Sequence, residues 1–130
     1  MGFLSPRPPA KPATTKALGD AAERLALDYL QHRGLRLVTR NYRTPGRGGG
    51  EIDLVMRAED GTLVFIEVRR RAYSSHGGAA ASVGAAKQQR IVYAARHYLL
   101  RLGSPPPCRF DVVLVEPQGV QWIQAAFDAG

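Results

Sequence analysis

Two short stretches decide the fold: Glu51-Ile52-Asp53-Leu54-Val55-Met56 and Thr62-Leu63-Val64-Phe65-Ile66-Glu67-Val68-Arg69, with Glu59-Asp60-Gly61 between them. Both are rich in branched apolar residues and Asp60-Gly61 is a turn pair, so the segment reads as an antiparallel hairpin. Strand side chains alternate, which groups Glu51, Asp53 and Val55 on one face and Leu63, Phe65, Glu67 and Arg69 on one face of the partner. A turn centred on Asp60 sets Asp53 opposite Glu67 and Glu51 opposite Arg69. Directly opposed β-carbons lie only about 4.5 to 5.5 Å apart, so two carboxylates there destabilise the sheet unless a cation compensates. Glu67 also sits inside the apolar run Phe65-Ile66 and Val68, the pattern of a central strand, where an isolated carboxylate is costly.

Outward from the hairpin, Leu18, Ala21, Ala22, Leu25, Ala26, Tyr29 and Leu30 recur at helical spacing from Thr15, and Gly34 offers the stop. Residues 35–42 read as a first strand, followed by the glycine-rich loop Thr44-Pro45-Gly46-Arg47-Gly48-Gly49-Gly50. Beyond the hairpin a second loop, Ala72 to Ala81, leads to a cap at Ser82. A long helix follows, with Val83, Ile91, Ala94, Ala95, Tyr98 and Leu99 on its buried face. Gly103 and Pro105-Pro106-Pro107 end it. Residues 109–115 and 120–124, separated by Pro117-Gln118-Gly119, give two more strands. The expected order is α-β-β-β-α-β-β, an α/β class with no internal repeat. Residues 1–15 hold four prolines and no periodicity and are expected to be a flexible tail, with residues 16–130 as the single domain.

The 130 residues carry 18 Lys+Arg against 11 Asp+Glu, a net charge of +7, and 45% are hydrophobic. That is material for one core and not for two full domains. No run approaches the ~18 to 20 apolar residues that span a bilayer, and the first residues lack the apolar stretch of a signal peptide, so a cytoplasmic protein without a membrane partner is expected. Cys108 is the only cysteine, and His32, His76 and His97 lack ligand spacing, which excludes a disulfide framework and a thiol-metal site. The basic surplus is almost all arginine, and its positive field favours a polyanion such as nucleic acid, although solubility alone also explains it.

The simplest partner for a buried Glu67 is an internal ion pair with Arg69, Arg70, Arg71 or Lys87. Two acids, a cation two residues beyond the second, and a basic chain together point instead to a metal-dependent phosphodiester site. Such hydrolysis uses oxygen ligands for Mg²⁺, an activated water and a cation near the developing charge. The glycine-rich loop matches neither a Walker loop nor a dinucleotide fingerprint, and reads better as a place where backbone and Arg47 approach phosphates. Lys87 and Arg90, three apart on one helix, could contact a phosphate backbone or form an ordinary solvated face. Asp111 reads as structural, and the tyrosines and Trp122 as core or half-buried residues.

Gly50-Glu51-Ile52-Asp53-Leu54-Val55, Val64-Phe65-Ile66-Glu67-Val68-Arg69, Ser82-Val83 with Lys87 and Arg90, and Arg109-Phe110-Asp111-Val112-Val113 resemble the bacterial YraN-like family. Gly19 to Leu30 is similar to that family's first helix, so the resemblance covers about residues 16–127. The family is generally described as uncharacterised, predicted endonucleases distantly related to Holliday-junction resolvases. The resemblance implies a restriction-endonuclease-like fold, a mixed sheet flanked by helices, with a PD-(D/E)xK nuclease site. By that resemblance Asp53 and Glu67 are the two metal-binding acids and Glu23 an additional acid near the metal. A surface ion pair accounts for Glu23 as well. The chain departs from the motif at Arg69, where a lysine is expected. Guanidinium can stabilise phosphate charge, but it stays protonated and is a poor proton acceptor. Lys87 could supply the missing ammonium from the second helix, provided that its nitrogen lies within contact reach of Glu67.

The leading expectation is an endonuclease acting on DNA, branched or damaged substrates included. It would use Mg²⁺ or Mn²⁺ on Asp53 and Glu67, with Arg69 stabilising the transition state and Arg47, Lys87 and Arg90 binding nucleic acid. Branched substrates suit a homodimer with two sites. The alternative is a catalytically weakened nucleic-acid-binding module of the same fold, and a third reading is a partner protein whose acids are neutralised internally.

Overall fold

The computed structural model describes residues 13–72 and 83–130. Most of the expected tail, together with Tyr73, His76 and Ser82, lies outside the described residues. Helix α1 (Thr15–His32) starts where Thr14 accepts the Ala17 N–H at 3.0 Å. It ends at Gly34, whose φ of +96° carries the chain out of the helix, with the Leu35 N–H returning to Leu30 O. The strands are β1 (Arg36–Arg43), β2 (Glu51–Arg57), β3 (Leu63–Arg70), β4 (Cys108–Glu116) and β5 (Gly119–Phe127), with α2 (Ala85–Leu99) between β3 and β4. The α-β-β-β-α-β-β order is the expected one. Helix α2 starts at an N-cap of Gly84, with no side-chain cap bond, rather than at Ser82.

The five strands lie in chain order in one mixed sheet. Neighbouring pairs are antiparallel except β3 and β4, which run parallel, so α2 is their crossover connection. Each face of the sheet carries one helix. Phe65, Val112, Leu114 and Ile52 pack with Ile91, Ala94, Ala95 and Tyr98 of α2. Leu54, Val64, Ile66 and Val113 pack with Ala22, Ala26, Leu27 and Leu30 of α1. The central strand β3 is covered on both faces, which explains its unbroken apolar run. Of the positions expected in the apolar stripes or as core or half-buried residues, Ala21, Leu25 and Tyr93 are exposed, Leu25 at 53% and Tyr93 at 54%. Each lies just off the stripe its helix turns toward the sheet, where Leu27 and Val92 are buried instead. Asp111 is wholly buried, accepting from Arg109 Nε at 3.0 Å, Trp122 Nε1 at 2.9 Å and the Ala125 N–H at 2.9 Å. That is the structural role read for it. Among the described residues no helix is long and apolar enough to cross a membrane.

Candidate active site

The β2–β3 ladder keeps the expected register from Arg57↔Leu63 to Leu54↔Ile66 and then stops. One step further would set Asp53 against Glu67. There β2 also loses its alternation: Ile52 packs on the α2 side and Leu54, two residues on, packs on the α1 side. The single-face grouping of Glu51, Asp53 and Val55 therefore does not hold. Across β2, the position facing Asp53 falls between Arg40↔Leu54 and Tyr42↔Ile52, at Asn41, whose φ is +50°. Asparagine is among the few residues that tolerate this left-handed conformation. The Asp53 carboxylate replaces the missing ladder bond, its Oδ2 accepting the Val68 N–H at 2.8 Å. Glu51 stands across β2 from Arg43 and pairs with its Nε at 3.4 Å, while the expected Glu51–Arg69 opposition lies beyond the end of the ladder.

Glu67 is 5% exposed on β3. Burial, and then the Asp53 charge, push its carboxyl up to about 8, against the pull of Lys87 and Arg69. Burial also raises Asp53, with the Val68 N–H opposing it. The closeness of the two carboxyls thus disfavours the charged form of Glu67. Lys87 reaches in from α2, its Nζ 3.7 Å from Glu67 Oε1. That distance meets the condition set for Lys87 as an ammonium beside the acids.

The other candidates are arranged around this core. Glu23, on α1, is raised first by burial and then by Asp53, and its Oε1 is buried without a hydrogen-bond partner. Arg69 lies near enough to Glu67 to favour its ionised form. Arg90 joins Lys87 in lining a cleft of about 350 Å³ beside the glycine-rich loop. Arg47 stands exposed in that loop and is not among the cleft's lining residues. Sequence reasoning missed Arg43, which lines the same cleft at the end of β1. Its only signal was its place just before the loop.

Among the described residues no three His, Cys, Asp or Glu side chains come close enough together to hold a metal ion by themselves. Two carboxylates do converge, with an orphaned carboxylate oxygen on α1 nearby. An all-oxygen donor set of one or two carboxylates suits Mg²⁺, which keeps several waters and binds substrate phosphates rather than filling its shell from protein. Two crowded carboxylates, one of them nearly buried, beside an unpartnered carboxylate oxygen fit such a cation.

Residues 22–115 match the uncharacterised protein family UPF0102. A UPF0102 protein of Paracidovorax citrulli (strain AAC00-1) is 68% identical over 135 residues, covering 100% of both chains. One from Albidiferax ferrireducens is 69% identical over 116 residues, 89% of this chain and 91% of the relative. Among solved structures, a repair endonuclease from Pyrococcus abyssi is similar at 22% identity and a TM-score of 0.38, over 76% of this chain and 39% of that one. The chain belongs to the uncharacterised protein family UPF0102, the YraN family that its hairpin and helix motifs resemble.

Proposed function

We propose that this protein is a metal-dependent endonuclease that hydrolyses phosphodiester bonds in DNA, with Asp53 and Glu67 as the carboxylates that hold Mg²⁺ or Mn²⁺. One observation carries the reading: the buried Glu67 carboxylate and the Asp53 carboxylate come together where the β2–β3 ladder ends, with the Lys87 ammonium 3.7 Å from Glu67. A divalent cation held there supplies Lewis-acid stabilisation of phosphate charge and lowers the pKa of water. The chain supplies the rest. The Val68 N–H fixes Asp53, so its carboxylate is oriented before any ligand arrives. Lys87 presents a compact ammonium which can face a phosphate oxygen. Arg69 adds a permanent positive charge on the same strand as Glu67. Glu23, with its unpartnered oxygen, is placed to accept a hydrogen bond from water at the edge of the pair.

The test has two parts. Trace Mn²⁺ added to ¹⁵N-labelled protein should broaden amide signals around Asp53 and Glu67, and this should disappear in Glu67→Ala. Cleavage of branched and plasmid DNA should require the metal and be lost in Asp53→Ala and Glu67→Ala. Metal-independent cleavage, or wild-type activity in both variants, overturns the proposal. Arg69 in the motif lysine's place favours one second reading, a nucleic-acid-binding module without catalysis. That reading expects salt-sensitive binding, no localised Mn²⁺ effect and no cleavage.

A further inference from the structure

The cleft beside the acid pair has a lining unlike that of a small-molecule pocket. Arg43, Lys87 and Arg90 contribute three cations and Glu51 one acid, and the remaining wall is the threonine and glycines of the loop. Large apolar side chains are absent from that lining. Glu51 is already committed to Arg43. Arg90 is exposed and makes no ion pair with any described residue. A cleft with surplus positive charge and no apolar wall selects an anion.

The loop is held as a fixed wall. Gly50 donates its N–H to Thr44 Oγ1 at 2.7 Å, and the Thr44 N–H returns to Gly50 O at 3.0 Å, closing the loop's neck. The neck rests directly on α2. A Cβ on Gly50 would lie 1.9 Å from Arg90 O, and one on Gly49 would lie 2.3 Å from Thr44 Oγ1. Only residues without a side chain allow this approach. The approach brings Arg43, from the end of β1, and Arg90, from α2, to one opening. Lys87 belongs to both places, lining the cleft and standing 3.7 Å from Glu67.

We infer that this cleft is a backbone-phosphate subsite: Arg43 and Arg90 clamp a phosphate of the nucleic-acid strand adjacent to the one presented at Asp53 and Glu67. The assignment of the neighbouring phosphate rests on the nuclease reading, whereas the phosphate site itself does not. Two guanidiniums on separate elements fix a phosphate's position along the groove, and so fix the strand's register over the acids. With the neck preformed, little ordering cost is left for the moment of binding.

The test is binding of a fluorescein-labelled DNA duplex, read by anisotropy in EDTA so that no cleavage occurs, over a range of salt concentrations. Arg43→Gln with Arg90→Gln should weaken binding at least about tenfold at 0.1 M salt. The slope of log affinity against log salt should become shallower by about 1, for the one phosphate that loses both its arginines. The charge-matched control Arg36→Gln with Arg101→Gln, on exposed residues outside the cleft, should leave the slope near wild type. Arg43→Lys with Arg90→Lys should keep it, which separates lost charge from lost fold. Cleavage is read separately with Mg²⁺: wild-type cleavage without a change of slope in the cleft variant fails this proposal and not the nuclease reading, whereas a shallower slope with no cleavage by wild type does the reverse. Inorganic phosphate that competes only at millimolar levels supports a strand as the ligand, whereas competition as strong as that of the duplex replaces the strand with free phosphate. Equal slopes for the cleft variant and the control overturn the proposal.

Discussion

Glu67→Gln should change how stability depends on pH. In the folded protein the Glu67 carboxyl keeps its proton up to about 8, because burial and Asp53 disfavour its charge, whereas its ordinary value is 4.5. Between those values the folded state binds more protons than the unfolded chain, so stability falls as pH rises through the window. Below pH 4.5 this contribution is fully present, and it is lost as pH passes 8. Each pH unit of the window withdraws about 1.4 kcal/mol, so by pH 7 the ceiling on the loss is roughly 3 kcal/mol. Glutamine has nearly the same shape, can donate its amide to Asp53, and carries no titrating proton. The difference between wild type and Glu67→Gln reports the titration of the Glu67–Asp53 pair. The assay is urea denaturation followed by Trp122 fluorescence, from pH 5 to 9 in EDTA at constant ionic strength. Glu67→Gln should gain on wild type steadily across that range, and added Mg²⁺ should restore wild-type stability most at the high-pH end. Parallel stability profiles for the two proteins would refute the reasoning, because the proton would then not be held by Glu67 and Asp53.

Three further outcomes follow from named contacts. Gly50→Ala drives a Cβ to 1.9 Å from Arg90 O, and should cost about 1 to 3 kcal/mol in urea unfolding; a change under about 0.5 kcal/mol would mean that the loop and α2 do not touch there. Asp111→Ala strands Arg109, Trp122 Nε1 and the Ala125 N–H around a buried void. It should cost about 3 to 5 kcal/mol and shift Trp122 emission, and emission identical to wild type would contradict that network. In a cleavage assay Lys87→Met should lose about 10²-fold or more, and Arg69→Lys should change the rate less than tenfold. The reverse ranking would return the cationic role to position 69.

The element order was legible because periodicity and turn chemistry are local. Asp60-Gly61 set the hairpin register correctly, and Gly34 marked the end of α1. The acid pair followed from that register alone. The break at Asp53 did not, since it comes from competition across three strands: Asn41 adopts a left-handed conformation on one side while Val68 takes a side-chain acceptor on the other. An asparagine inside a strand was the available signal, asparagine being depleted there. Arg43 and Gly50 were unreadable for a related reason. Their importance lies in a contact between the loop neck and α2, forty residues away along the chain, which neither local pattern nor charge counting encodes.

The parting of β2 and β3 follows from where Glu67 sits. Phe65, two residues before it, packs on the α2 side of the central strand, and Val112 of β4 stands across from Glu67, which is only 5% exposed. A continuous ladder would bring Asp53 into direct opposition with a second acid in that nearly dry position. The observed arrangement turns the Asp53 carboxylate into the ladder as an acceptor for Val68, while burial and the Asp53 charge raise the Glu67 carboxyl to about 8. Lys87 then has two anionic claims on it, the acid pair on one side and the cleft shared with Arg43 and Arg90 on the other. On the proposed reading those claims are sequential. While the pair lacks other positive charge, Lys87 is drawn to Glu67. Once the pair's charge is met by a cation, its attraction for the ammonium falls and a phosphate at the cleft becomes the stronger partner, so that substrate binding and cation binding favour each other through one side chain.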